Sequence, residues 1–300
     1  MDHRCDVNGT VLFLDERGPA DGPPLLFVHG GPGNSCWDFM SAVGDELAAR
    51  GIRVLGVDQR GVLRSDSLLE GAELTVNVLI DDFEALRRAL GIDEWTILGH
   101  SAGGGYALDY ALSHPDSVSG LILDCPCLDA DATDRFRLPR AAALLQDVGK
   151  TSEAEKCVAL AASPRRLTGG DRSWEVMQAL GDRYLDLFVA GREGRARYER
   201  LIGRAPEDLD WAKGVSHLPL LHDMYRDRTP SLSSLSVPSV LLHGEGDLVA
   251  APSVIEAYRA ATGGDVVTIP DAGHFSYIEQ PRAYVEAVAG FMNAPKRRAA

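Results

Sequence analysis

Apolar runs that end at glycines alternate along this chain with segments whose apolar positions recur at helical spacing. Pro24-Leu25-Leu26-Phe27-Val28 is continuously apolar and stops at a glycine turn, which predicts a strand buried on both faces. Ile52 to Val57 predicts another, preceded by a helix-like stretch from Phe39 to Arg50. From Val78 to Leu90 the positions Leu79, Phe83, Leu86 and Leu90 fall on one helical face, and Gly91 closes the segment. Trp95 to Leu98 is a short β-prone run, Tyr106 to Ser113 reads as a helix reaching Pro115, and Val118 to Leu123 reads as a buried strand. Val237 to Leu242 and Val266 to Ile269 complete the strands, and Arg282 to Met292 predicts a closing helix. Strands alternating with helices imply an α/β fold with a mostly parallel central sheet flanked by helices.

The alternation breaks between about Leu128 and Ser236. That block is rich in Ala, Arg, Leu, Asp and Glu, and predicts several short helices at Leu138 to Leu145, Ser152 to Ala162 and Ser173 to Val189. In the last of these, Met177, Leu180, Tyr184 and Phe188 form a stripe that is expected to pack as core rather than touch a ligand. The expected organisation is a core of residues 1–127 and 237–300 with a helical cap, 128–236, inserted into it. Internal repeats and low-complexity tracts are not evident.

Composition narrows the partners. At 300 residues with 45% hydrophobic and 25% charged positions, the chain has the profile of an ordinary globular protein. A formal net charge of −14 argues against nucleic acid or an anionic membrane as partner. No apolar run is long enough to span a bilayer, and Met1 to Asp6 is polar, so a cytoplasmic location is expected. The five cysteines are odd in number and scattered, as reduced thiols would be. Cys125-Pro126-Cys127 lacks a second ligand pair at metal-site spacing, so it is expected in the core or a pocket wall. Neither metal nor organic cofactor is expected, and a monomer is the default.

The chemistry concentrates at Gly99-His100-Ser101-Ala102-Gly103, a Gly-x-Ser-x-Gly between a predicted strand and a predicted helix. Such a turn holds a serine hydroxyl clear of its neighbours. A serine needs a base to take its proton and an acid to orient that base. Asp247, in the glycine-rich loop after Val240 to Leu242, is the expected acid, with Glu245 as the second choice. His274, in the loop after the last strand, is the expected base. Asp271 is too close to His274 in sequence to reach its ring in line. His29, His100 and His243 flank strand ends, where histidines often satisfy backbone groups. The oxyanion formed on attack needs N–H donors, and those of Ala102 and of Gly31 in His29-Gly30-Gly31-Pro32-Gly33 are the expected pair.

With these pieces placed, the chain resembles the α/β-hydrolase superfamily along nearly its full length. Within it, His29-Gly30-Gly31-Pro32-Gly33 followed by Asp58-Gln59-Arg60-Gly61 looks like the proline iminopeptidase family, which includes the tricorn-interacting aminopeptidases. Where many members of that family have Gly-Gly-Ser-Trp-Gly, this chain has His100 and Ala102. The resemblance implies a serine hydrolase that cleaves an amide bond after an N-terminal aminoacyl group with a free amine, on a peptide or an aminoacylated small metabolite. It also implies acidic cap residues that hold the amine. Trp174-Glu175 matches the family's Trp-Glu, which makes Glu175 the candidate, although its helical phase equally suits a solvated face. The alternative is an esterase or thioesterase using the same triad on a small apolar acyl substrate.

Overall fold

The structure is a computed structural model that describes residues 2–294. Eight strands form one sheet: β1 (Asp2–Val7), β2 (Thr10–Arg17), β3 (Pro24–Val28), β4 (Arg53–Asp58), β5 (Trp95–His100), β6 (Val118–Asp124), β7 (Ser239–Gly244) and β8 (Asp265–Ile269). Their order is β1-β2-β4-β3-β5-β6-β7-β8. The pairs β1–β2 and β2–β4 are antiparallel and all others are parallel. Neither antiparallel strand was read from the apolar runs: β1 is polar, and the apolar run of β2, Val11 to Leu14, is short and followed by charged Asp15 to Arg17. The signal for them was Asn8-Gly9, whose φ values of 49° and 71° make the two-residue turn that joins a hairpin.

Successive side chains of a strand point to opposite faces. Leu26 and Val28 therefore pack with Ile97, Leu121 and Leu123 against the helices Val76–Ala89 and Ala102–Ser113. Leu25 and Phe27 pack with Leu98 and Ile122 on the other side, against Phe39, Met40 and the helix Pro281–Asn293. This double coverage is why the central strands carry no polar alternation, and it leaves the C-terminal edge of the sheet to hold the site.

Between β6 and β7 the chain builds a separate apolar cluster from Leu138, Leu144, Leu145, Cys157, Leu167, Met177, Leu180 and Leu187. Two expectations change here. The predicted helix at Leu138 to Leu145 is part of a longer one, Ala130–Asp147, which runs through Pro139. The predicted helix from Ser173 to Val189 is two pieces, Ser173–Gln178 and a 3₁₀ segment Gly181–Leu187. Gly181 sits at φ 58°, outside helical geometry, and breaks the run. As a result the apolar stripe divides. Met177 and Leu180 are buried in the cluster, whereas Tyr184 and Phe188 also line the cavities beside Ser101. Among the described residues no helix is long and apolar enough to cross a membrane.

Candidate active site

Ser101 stands between β5 and the helix Ala102–Ser113 with φ 57° and ψ −124°. A side chain at that φ is strained, and the turn persists because its surroundings over-determine it. A Cβ on Gly103 would lie 2.3 Å from the Val28 carbonyl oxygen, so the helix can start this close to β3 only with glycine there. The glycine loop after β3 approaches as closely. A Cβ on Gly30 would meet the His100 oxygen at 2.6 Å and the Ser101 Cβ at 2.7 Å.

That approach puts the Gly31 backbone beside Ser101, and both residues line the same two cavities. The Ala102 N–H belongs to the first turn of its helix, where donors have no intrahelical acceptor. His29 steadies the loop: its Nε2 accepts from Gln59 N–H at 3.1 Å, and the Gln59 side-chain amide donates to the His29 carbonyl at 2.9 Å. Burial lowers the His29 pKa to about 4, which keeps the ring neutral and able to accept.

Asp247 and His274 come together from the loops after β7 and β8. His274 Nδ1 lies 3.0 Å from Asp247 Oδ1, and both residues are buried. The same carboxylate accepts from Val249 N–H at 3.0 Å and Ala250 N–H at 2.9 Å. Burial opposes ionisation of Asp247, but the His274 ring and these N–H groups outweigh it and hold its pKa below the usual value. Burial pushes His274 below 6.5, with Asp247 pulling the other way. His274 shares a cavity with Ser101.

The Cys125 sulfur lies within 4.8 Å of donor atoms of both Asp247 and His274, but burial drives its pKa far up, so it stays a neutral thiol. The other acids fall elsewhere. Glu245 accepts from Asp271 N–H at 3.4 Å, in an exposed position. His243 bonds its own strand end and Thr268. His100 makes a buried pair with Asp124 at 2.9 Å, beside the His274 ring, instead of satisfying a backbone group.

Two cavities meet at Ser101 and share Gly31, Pro32, Gln178, Tyr184 and Phe188 as walls. One, of about 560 Å³, contains His274 with His100, Tyr198 and Phe275. The other, of about 230 Å³, runs under the cap and contains Asp134 and Arg137.

Glu175 requires a correction, because it lines neither cavity. It pairs with Arg172 three residues earlier, on the solvated side of its short helix, while its neighbours Ser173 and Trp174 face the Arg137 cavity. Among the described residues the acid lining the Arg137 cavity is Asp134, which the sequence reading missed, and the acid lining the wider cavity is Asp182. Asp134 accepts from Ser173 Oγ at 2.5 Å, Tyr225 Oη at 2.6 Å and Arg137 Nη2 at 3.1 Å. Two of these partners, Ser173 and Tyr225, lie far along the chain, and no local motif marks the site.

Comparison with known proteins gives the family. The family described as alpha/beta hydrolase fold matches residues 23–281. A proline iminopeptidase of Heyndrickxia coagulans is 27% identical over 293 residues, 96% of each chain. A 1-acylglycerol-3-phosphate O-acyltransferase of Arabidopsis thaliana is 29% identical over 300 residues, covering 93% of this chain and 68% of its own. Among solved structures, a proline iminopeptidase-related protein of Thermus thermophilus superposes with a TM-score of 0.72 at 27% identity. That match covers 97% of this chain and 96% of the other.

Proposed function

The chain belongs to the alpha/beta hydrolase fold family, and on that premise we propose that it is a serine hydrolase working through Ser101, His274 and Asp247. Ser101 attacks the substrate carbonyl while His274 takes its proton. Asp247 fixes the tautomer of the imidazole and stabilises its charged form. The N–H groups of Gly31 and Ala102 hold the oxyanion. His274 then protonates the leaving group, and water releases the acyl group from Ser101. The observation that carries this reading is the strained Ser101 in one cavity with a His274 that is already bonded to Asp247.

The two cavities divide the substrate. His274 must reach the departing atom and lines only the wider cavity, so the leaving group occupies that side. The acyl group then fills the smaller cavity beside Asp134 and Arg137. In this reading residues 2–127 and 237–294 form the catalytic core and 128–236 the cap that shapes the acyl wall, and the remaining expected core positions, 1 and 295–300, lie outside the described residues. The partner is a small molecule or short peptide, in keeping with a net charge of −14 that disfavours nucleic acid and anionic membranes.

The scissile bond is an amide that follows an N-terminal aminoacyl group, a reading supported by relatives of nearly the same length named proline iminopeptidase. Asp134 takes the place expected of Glu175 in facing the ammonium. A second reading, hydrolysis of an ester or thioester without an amine, is favoured by one observation: Asp134 is already shared by Arg137, Ser173 and Tyr225.

A panel of aminoacyl p-nitroanilides with N-acetylated controls separates the two. Free amines are expected to react and blocked ones not; equal rates overturn the aminopeptidase reading. Ser101→Ala is expected to lower kcat by about 10⁶, and unchanged turnover would overturn the serine mechanism.

A further inference from the structure

Asp134 and Arg137 meet in the acyl cavity with their hydrogen-bonding capacity unequally spent. Asp134 is well supplied, since its two oxygens accept from two hydroxyls and one guanidinium nitrogen. Arg137 is not. A guanidinium offers five N–H donors in a planar fork, and here Nη2 alone makes a hydrogen bond, at 3.1 Å. Nε is sealed from solvent without a partner, and Nη1 bonds no described residue. Yet Arg137 is only 9% exposed.

A buried cation with unmet donors is costly unless something accepts from it. Its surroundings offer little help. The Phe188 ring lies 5.2 Å from the guanidinium carbon. Cys127, Ala130, Leu221, Met224 and Val249 supply apolar wall, and no other Lys or Arg lines the cavity among the described residues. The fork matches a carboxylate in geometry as well as charge.

We propose that the acyl group accepted by this site carries a carboxylate of its own, bound by the guanidinium of Arg137. The proposal rests on the division of the two cavities given above. It fits two kinds of acyl group with that shared chemistry. One is the half-acyl of a short dicarboxylic acid. The other is an acidic aminoacyl group, whose ammonium faces Asp134 while its carboxylate faces Arg137.

Matched probes test it. The p-nitrophenyl monoester of glutaric acid is compared with p-nitrophenyl valerate, and glutamyl p-nitroanilide with glutaminyl p-nitroanilide. Wild-type enzyme is expected to favour the carboxylate member of at least one pair, and the pair that responds identifies the acyl class. Equal or higher kcat/KM for both neutral probes overturns the proposal.

Arg137→Gln is expected to shrink the carboxylate-to-neutral ratio by about 10- to 100-fold, mainly through KM, with Arg137→Lys intermediate. Equal losses on both probes would mean that Arg137 only holds Asp134 in place, which also overturns it. Calorimetry on Ser101→Ala keeps this test apart from hydrolysis. Binding of glutaric acid monoamide but not of valeramide, together with no turnover by wild type, would retain the anion site and remove the hydrolase reading. Binding of neither would remove the anion site.

Discussion

The two walls that face each other across Ser101 are held in different ways. The elbow wall is set by backbone: a serine at φ 57°, and glycines whose missing Cβ atoms let β3 and the helix Ala102–Ser113 approach the turn. The cap wall is set by side chains: Asp134, Arg137, Ser173 and Tyr225, tied by hydrogen bonds across as many as 91 residues of sequence. On the proposed mechanism, the chemistry resides where a Cβ cannot be added, and the choice of substrate where side chains can be exchanged. Changes on the first wall should strike every substrate alike, and changes on the second should reorder them.

The largest expected effect belongs to the chemical side. Asp247→Asn keeps the shape but loses the carboxylate bonded to His274, and on the proposed mechanism kcat is expected to fall by about 10⁴ on every probe. A loss confined to one substrate class would contradict the division between the walls.

The pH profile sharpens the same side. In the proposed mechanism His274 must be neutral to accept the proton, and burial places its pKa below 6.5. The acid limb of kcat/KM is therefore expected below pH 6.5, with a plateau above it, and a midpoint above 6.5 would contradict the account. Because Asp247 raises the His274 pKa, residual activity of Asp247→Asn should lose its acid limb at still lower pH.

The smallest effect marks the outer limit of the cap wall. Glu175 pairs with Arg172 away from both cavities, so Glu175→Gln is expected to change KM for free-amine substrates by less than about twofold. A large rise in KM in steady-state assays would return Glu175 to the substrate.

The same difference explains what was legible in the sequence. The elbow could be read because its constraints are contiguous: glycines at 99 and 103, a β-prone run before them and a helix after. The positions of Asp247 and His274 followed from the strands that precede them, and the central strands from apolar runs that need no alternation when both faces are covered. The hairpin β1–β2 lay outside that rule because polar residues fill β1, and only Asn8-Gly9 marked it. Glu175 was chosen from a two-residue match, yet a helical turn that places Ser173 and Trp174 on the cavity turns Glu175 toward Arg172. Asp134 and Arg137 were hidden for a physical reason. An i, i+3 ion pair looks like any solvated helix face until Ser173 and Tyr225 fold over it.

The central claim is that Ser101 is the nucleophile and that His274 and Asp247 activate it. A fluorophosphonate probe followed by peptide mass spectrometry tests it most directly. A single phosphonyl adduct is expected on Ser101 of the wild-type protein, lost in Ser101→Ala and strongly slowed in Asp247→Asn. An adduct on another residue, or labelling that survives in Ser101→Ala, would contradict the account.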